Sequence, residues 1–242
     1  MPMSVKTRIK QAKILGGFGK GTPESAAVSP SRSAQDNCDD VCRWKGNGCY
    51  AEPLEVRYPG LGRKLDRHQK MPPQNLCNLA AYELSQFDAG SLDWFRVAVN
   101  GSLPMPATVR DSQEFKAAFH NMIAEAVRAT GDPGRIHIPV ESYAKHRFYQ
   151  SLVADLGVVV RESLQHTWKR RIKALGHAAS TVVGEGLPVA DREAECQKVA
   201  DQVRSWGRRA IICPAVTRDS KCGRCRACGS ESVDLVIYPL HK

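Results

Sequence analysis

A chain of 242 residues with a hydrophobic fraction of 42% suits one large domain or two small ones, and it can build a core without a metal to hold it together. Lys and Arg number 35 against 25 Asp and Glu, a net charge of +10, which suits contact with a polyanion and equally fits a basic protein with no such partner. No apolar run approaches the ~20 residues needed to span a bilayer, and Met1–Lys10 lacks the apolar core of a secretory signal. No membrane partner is therefore expected, and the expected location is the cytoplasm. There, nine cysteines read as metal ligands or redox thiols rather than as a disulfide framework.

Residues 1–22 are basic and glycine-rich, with Lys6, Arg8, Lys10, Lys13 and Lys20 around Gly16, Gly17, Gly19 and Gly21. They read as a flexible basic arm ahead of a single α/β domain over 23–242. The glycines do not complete a phosphate loop, which needs G-x4-G-K-[ST] between a strand and a helix. A short strand is expected over 24–29, closed by Pro30. Cys38, Cys42 and Cys49 follow with C-x3-C-x6-C spacing, and Gly46 and Gly48 let the backbone turn back on itself. Three thiolates so spaced can hold a metal cluster with one open coordination position, or part of a zinc knuckle completed from elsewhere. Residues 50–75 carry four prolines and little periodicity, so they read as an irregular connection. A helix is expected over 74–88, with Cys77 as a core thiol among Leu76, Leu79 and Ala80. Cys196, on a charged helix, has no nearby cysteine in sequence.

From residue 93 the pattern becomes regular. A strand is expected over 94–100, then a helix over 112–130 with Phe115, Ala118, Phe119, Met122, Ile123 and Val127 at helical spacing. Asp111 or Ser112 can cap its start, and Gly131-Asp132-Pro133-Gly134 stops it. Next come a strand at 135–140, a helix at 142–155, a strand at 158–163 and a basic helix at 165–176. A strand at 179–184, a helix at 190–206, and strands at 210–214 and 235–238 complete the series. Such alternation predicts a parallel sheet with crossover helices: a full or partial (β/α) barrel, with an open doubly wound sheet as the alternative. In a barrel, chemistry gathers at the C-terminal ends of the strands. Both cysteine segments, 38–49 and 213–228, follow candidate strands and are expected at that end together.

The last segment carries Cys213, Cys222, Cys225 and Cys228, three of them in C-x2-C-x2-C spacing. Four thiolates are what a [4Fe–4S] cluster or a structural zinc requires; reduced, uncoordinated thiols are the alternative. Basic residues suggest a nucleic-acid surface: Lys169, Arg170, Arg171 and Lys173 beside Trp168, and Arg224 and Arg226 between the cysteines. A solvated helix face is the plain alternative for 169–173. His137, in a strand, can line a barrel mouth or serve as a structural hydrogen-bonding residue, and His241 can complete a metal shell. Glu141 and Glu162 are polar groups at strand ends, structural or catalytic.

Two segments, Ala27–Glu52 with its Gly46-Asn47-Gly48-Cys49-Tyr50-Ala51-Glu52 and Ile211–His241 with its Cys213-Pro214 and C-x2-C-x2-C, resemble a bacteriophage and prophage family labelled gene-product-88-like. That resemblance implies a phage or mobile-element protein acting in the host-cell cytoplasm and supplies no established activity. The chain is also similar, more weakly, to radical S-adenosylmethionine enzymes, which place three cysteines after the first strand of a partial barrel. Cys38, Cys42 and Cys49 stand in the analogous place, with x6 where those enzymes have x2 and with Tyr50 after the third cysteine rather than before it. This second likeness implies a [4Fe–4S] cluster with an iron open to S-adenosylmethionine, and an auxiliary cluster or zinc at the four terminal cysteines. The alternative is a zinc-stabilised protein without catalysis that binds nucleic acid or a host protein.

Overall fold

The computed structural model describes residues 4–17, 25–28, 71–97, 103–104, 107–164, 176–184, 187–214 and 225–239. Eight strands, β1 Gly16–Gly17, β2 Ser25–Val28, β3 Trp94–Val97, β4 Ile136–Val140, β5 Val160–Leu164, β6 Ala179–Val183, β7 Ala210–Ile212 and β8 Leu235–Pro239, form one sheet in the order β1-β2-β3-β4-β5-β6-β8-β7. β1 runs antiparallel to β2, and every other neighbouring pair is parallel. The helices are α1 Val5–Gln11, α2 Pro73–Ser85, α3 Ala107–Asp111, α4 Gln113–Thr130, α5 Tyr143–Val153 and α6 Val189–Ser205. The parallel α/β sheet predicted from the alternation is therefore present. Among the described residues no pairing joins β7 to β1 or β2, so the sheet is open where a full barrel would close.

Local chemistry sets these elements. The Ser112 hydroxyl accepts from the Phe115 N–H at the start of α4. At the far end Gly131 sits at φ 69°, in the left-handed region, and its N–H reaches the Val127 carbonyl. The buried side of α4, with Phe115, Phe119, Met122 and Ile123, belongs to the same core as Leu76, Cys77, Ala80 and Leu84 of α2. Arg128 ties the two helices: its Nη atoms donate to the Phe87 and Leu84 carbonyls at 2.9 Å each, at and just beyond the C-terminal end of α2.

Residues 4–17, inside the stretch expected to be a flexible arm, form α1 and the edge strand β1, with Ile9, Ile14 and Leu15 buried. The anchor is Glu83 on α2, whose carboxylate accepts from the backbone N–H groups of Lys13 at 2.6 Å, Ile14 at 3.1 Å and Leu15 at 2.8 Å. Composition hid this because the segment is short, and its three apolar contacts are outnumbered by lysines and glycines.

Strand residues alternate between two faces. One face, with Phe95, Val97, Ile136, Ile138, Val140 and Val160 in one cluster and Leu164, Ala179, Leu235 and Ile237 in another, packs against the helices. We call the opposite one the cysteine face. It carries Trp94, Arg96, His137, Pro139, Arg161, Ser163, Ser180, Ile211, Val236 and Tyr238, which the register aligns across the strands. The order of the strands explains what covers this face. From β2 to β6 the chain advances in one direction, with crossovers on the helix side. The step from β7 to β8 runs backwards, and a right-handed crossover in that direction must lie on the other face. Residues of that connection, Cys225, Ala227, Cys228 and Val233, accordingly pack on Ile211, Val236 and Tyr238.

Candidate functional site

The connection from β7 to β8 is organised by Arg161. This residue is the second of β5, in the sequence Val-Arg-Glu-Ser-Leu, and alternation turns it to the cysteine face. It is 0% exposed. Its Nε donates to the Cys228 carbonyl at 2.6 Å and its Nη1 to the Ala179 carbonyl at 3.1 Å. Its Nη2 lies 3.0, 2.7 and 2.9 Å from the carbonyls of Ala227, Ser230 and Val233. A guanidinium has five N–H donors in a fixed fork, so one side chain sets the path of residues 227–233. The nearby acid Asp234 is itself paired with Arg208 at 3.5 Å. Among the described residues no carboxylate stands within ion-pair range of Arg161, and its hydrogen bonds there go to carbonyl oxygens, a costly setting for a buried charge unless an anion lies close by.

Two further contacts pin the same loop to the turn before β4. Arg226, at φ 55°, pairs with Asp132 at 2.8 Å. Gly229 lies against Gly134 and Ile136 so closely that a Cβ on it would fall 2.2 Å from the Gly134 carbonyl oxygen and 2.9 Å from that of Ile136.

On this frame sit three of the four terminal cysteines. Cys213 directly follows β7, and its N–H donates to the Ile237 carbonyl at 2.8 Å. Cys213, Cys225 and Cys228 belong to one small cluster with Ala227, Val236 and Tyr238. The Cys228 sulfur is 2.9 Å from the Tyr238 hydroxyl. Burial pushes the Cys228 thiol up from its ordinary range, while the Tyr238 hydrogen bond and the charges of Arg161 and Arg96 pull it back toward the thiolate. Burial and the neighbouring Cys228 hold the Tyr238 phenol well above its usual value, so Tyr238 keeps its proton and can donate to the sulfur whenever Cys228 is a thiolate. The five described cysteines form no disulfide.

These features suit a thiolate centre in chemistry: soft sulfur ligands, a hydrogen bond to one sulfur and positive charge behind them. Among the described residues, no three His, Cys, Asp or Glu side chains are arranged to hold a metal ion. Cys222 lies outside the described residues, as do Cys38, Cys42, Cys49 and His241, so the expected meeting of segments 38–49 and 213–228 rests on residues that are not described. Of the basic residues read as a nucleic-acid surface, Lys169, Arg170, Arg171, Lys173 and Arg224 also lie outside. Arg226 is described, and it is engaged with Asp132.

The other two described cysteines belong to the helix side. Burial pushes the Cys77 thiol up to about 12, and burial with the charges of Glu195 and Glu193 pushes that of Cys196 to about 11. Both are inert core thiols, as the setting of Cys77 among apolar residues predicts.

Glu162 turns to the helix side, where its carboxylate accepts from His177 Nε2 at 2.9 Å. The His177 ring stacks on His146 with centroids 4.0 Å apart, and Tyr143 lies against both. Glu141, the other acid read as a strand-end group, pairs with Lys145. Burial first, then the neighbouring His177, lowers the His146 imidazole to about 4 from an ordinary 6.5, against the opposing pull of Glu162 and the Val160 carbonyl. The folded protein thus holds His146 neutral, while the unfolded chain takes up a proton below pH about 6.5. Stability should therefore fall as pH drops from about 6.5 toward about 4. A thermal-unfolding series across that window should be flatter in His146→Gln than in the native chain.

Sequence reasoning singled out the neighbouring Glu162 and missed the role of Arg161. The available signal was a charged residue directly after the apolar run Val158–Val160, at the start of a buried strand. Comparison with protein-family models, with curated proteins and with solved structures finds no match for this chain.

Proposed function

We propose that the chain is a thiolate-metal protein in which Cys213, Cys222, Cys225 and Cys228 hold an iron–sulfur cluster or a zinc ion on the cysteine face of an incomplete barrel. The observation that carries this reading is the packing of Cys213, Cys225 and Cys228 into one cluster beside a buried guanidinium that has no carboxylate partner among the described residues. A four-thiolate centre is net anionic, and it would supply the missing counter-charge. Tyr238 would donate to one sulfur, Arg161 would hold the loop in shape, and the surrounding Ala227, Val233 and Val236 would keep water away. Those groups tune a thiolate centre through hydrogen bonding and burial.

The finer form of the proposal adds a second centre. Cys38, Cys42 and Cys49 would hold a [4Fe–4S] cluster with one iron open to S-adenosylmethionine, and the advance of the strands from β2 to β6 in one direction is the order that a partial barrel requires. The reading as a nucleic-acid or host-protein binder has less behind it, since Arg226, the described member of its basic set, is paired with Asp132.

The test is metal, iron and acid-labile sulfide analysis of anaerobically purified full-length protein, with visible spectra. Tightly bound metal is expected in the native chain, with loss of at least one centre in Cys228→Ser. A metal-free chain whose thiols all react freely would overturn the proposal; zinc without sulfide would remove the cluster form and keep the structural one.

A further inference from the structure

Beyond the cysteines, the same face holds two buried aromatic-ring nitrogens with no hydrogen-bond partner among the described residues. Trp94 on β3 is 2% exposed and His137 on β4 is 4% exposed. Their rings lie 6.2 Å apart, tilted by 46°. Trp94 Nε1 and His137 Nε2 are both buried without a hydrogen-bond partner. An indole N–H can only donate, and leaving such a donor dry is unfavourable. Native interiors leave few groups in that state. Two of them stand on neighbouring strands, with rings 6.2 Å apart.

Charge indicates which partner would suit them. Arg96 is the cross-strand partner of His137, and Arg161 is the partner of Pro139, two residues along β4. Side chains so paired stand on one face with Cβ atoms about 5 Å apart, so two guanidinium groups flank the His137 ring. Both disfavour its protonation, and with burial they hold the imidazole well below its ordinary range. No strand position on this face is acidic among the described residues. A neutral imidazole carrying its proton on Nε2 and an indole N–H are both donors. In a positive field they select an acceptor that bears negative charge over a neutral water.

We propose that Trp94 Nε1 and His137 Nε2 bind the oxyanion group of a small-molecule ligand, a carboxylate or a phosphate, within the positive field of Arg96 and Arg161. The site lies on the cysteine face, on strands adjoining Arg161, and would anchor a ligand beside the loop that carries Cys225 and Cys228. It does not rest on the metal proposal, since no thiol takes part in the recognition.

The experiment uses the full chain as purified, labelled with 15N, and reads the indole N–H cross-peaks. The chain has four tryptophans, and Trp94→Phe identifies which peak belongs to Trp94. Sodium phosphate and sodium acetate are titrated separately, each against sodium chloride at matched ionic strength. The expected result is a saturable shift of the Trp94 peak with at least one oxyanion, lost in His137→Phe while the other indole peaks stay in place. A response to phosphate alone assigns a phosphate-bearing ligand, and a response to acetate alone a carboxylate. Thermal unfolding gives a second readout if a paramagnetic centre broadens the peak: a saturable rise in midpoint with the oxyanion, absent in His137→Phe. No saturable response to either oxyanion in either readout, an equal response to chloride, or an unchanged response in His137→Phe would overturn the proposal. Metal content measured on the same samples keeps this outcome separate from that of the thiolate centre.

Discussion

Replacing Arg161 by Met is expected to lower stability by about 3–5 kcal/mol and to release the loop that carries Cys225 and Cys228. The guanidinium donates to the carbonyls of Cys228, Ala179, Ala227, Ser230 and Val233. Removing a buried charge relieves its desolvation, which is why some buried ion pairs can be exchanged for apolar groups at no loss. Here the acceptors are main-chain carbonyls, which cannot be exchanged with it. Each one left dry costs about 1–3 kcal/mol, so the loss outweighs the relief. At this chain length about 2–4 °C accompanies each kcal/mol, and a midpoint lower by roughly 10 °C is the expected reading. Arg161→Lys keeps the charge but offers three donors in place of five, so it should fall between Met and the native chain. A Met variant within about 1 kcal/mol of the native protein would mean that the loop is held by other contacts.

Gly229→Ala should rank next. The new Cβ would meet the carbonyl oxygen and carbon of Gly134 at 2.2 and 2.6 Å and the Ile136 carbonyl oxygen at 2.9 Å. All three are backbone atoms at the start of β4, so relief requires the loop to lift from the sheet. A cost of about 3 kcal/mol, at the upper end for overpacking, is expected. Two other glycines calibrate it. Gly90 sits at φ +72° with open space around its Cβ position, so Gly90→Ala should cost only the left-handed backbone strain, about 1–2 kcal/mol. Gly176 has open space and no such φ, so Gly176→Ala should be close to neutral. Denaturant midpoints of the three variants check the order. Equal effects at Gly229 and Gly176 would refute the close approach of the loop to β4.

Much of the fold was legible because periodicity and punctuation agree. The apolar spacing of Phe115, Phe119, Met122 and Ile123, the Ser112 cap and the Gly131 stop fix α4 to within a residue of its expected start. Strand–helix alternation likewise gives the parallel sheet. Two features were beyond its reach. The docking of residues 4–17 depends on one distant carboxylate, Glu83, which no local pattern reveals. The reversal of β7 and β8 places Cys213, Cys225 and Cys228 on the face away from the helices, and strand order is a long-range property. Within the candidate site the cysteine spacing was readable, and Cys213, Cys225 and Cys228 share one packed cluster, without being arranged to hold a metal ion among the described residues. Arg161, Tyr238, Trp94 and Arg96 were not, since their roles follow from register across strands that are far apart in sequence.

The proposed metal centre has Cys213, Cys222, Cys225 and Cys228 as its ligands. X-ray absorption at the edge of the metal found in anaerobically prepared protein tests it most directly. The expected first shell is sulfur alone, at about 2.3 Å, and Cys228→Ser should replace one sulfur by a lighter atom or empty the site. A shell of nitrogen and oxygen, or one unchanged by substitution at Cys213, Cys225 and Cys228 in turn, would contradict the claim.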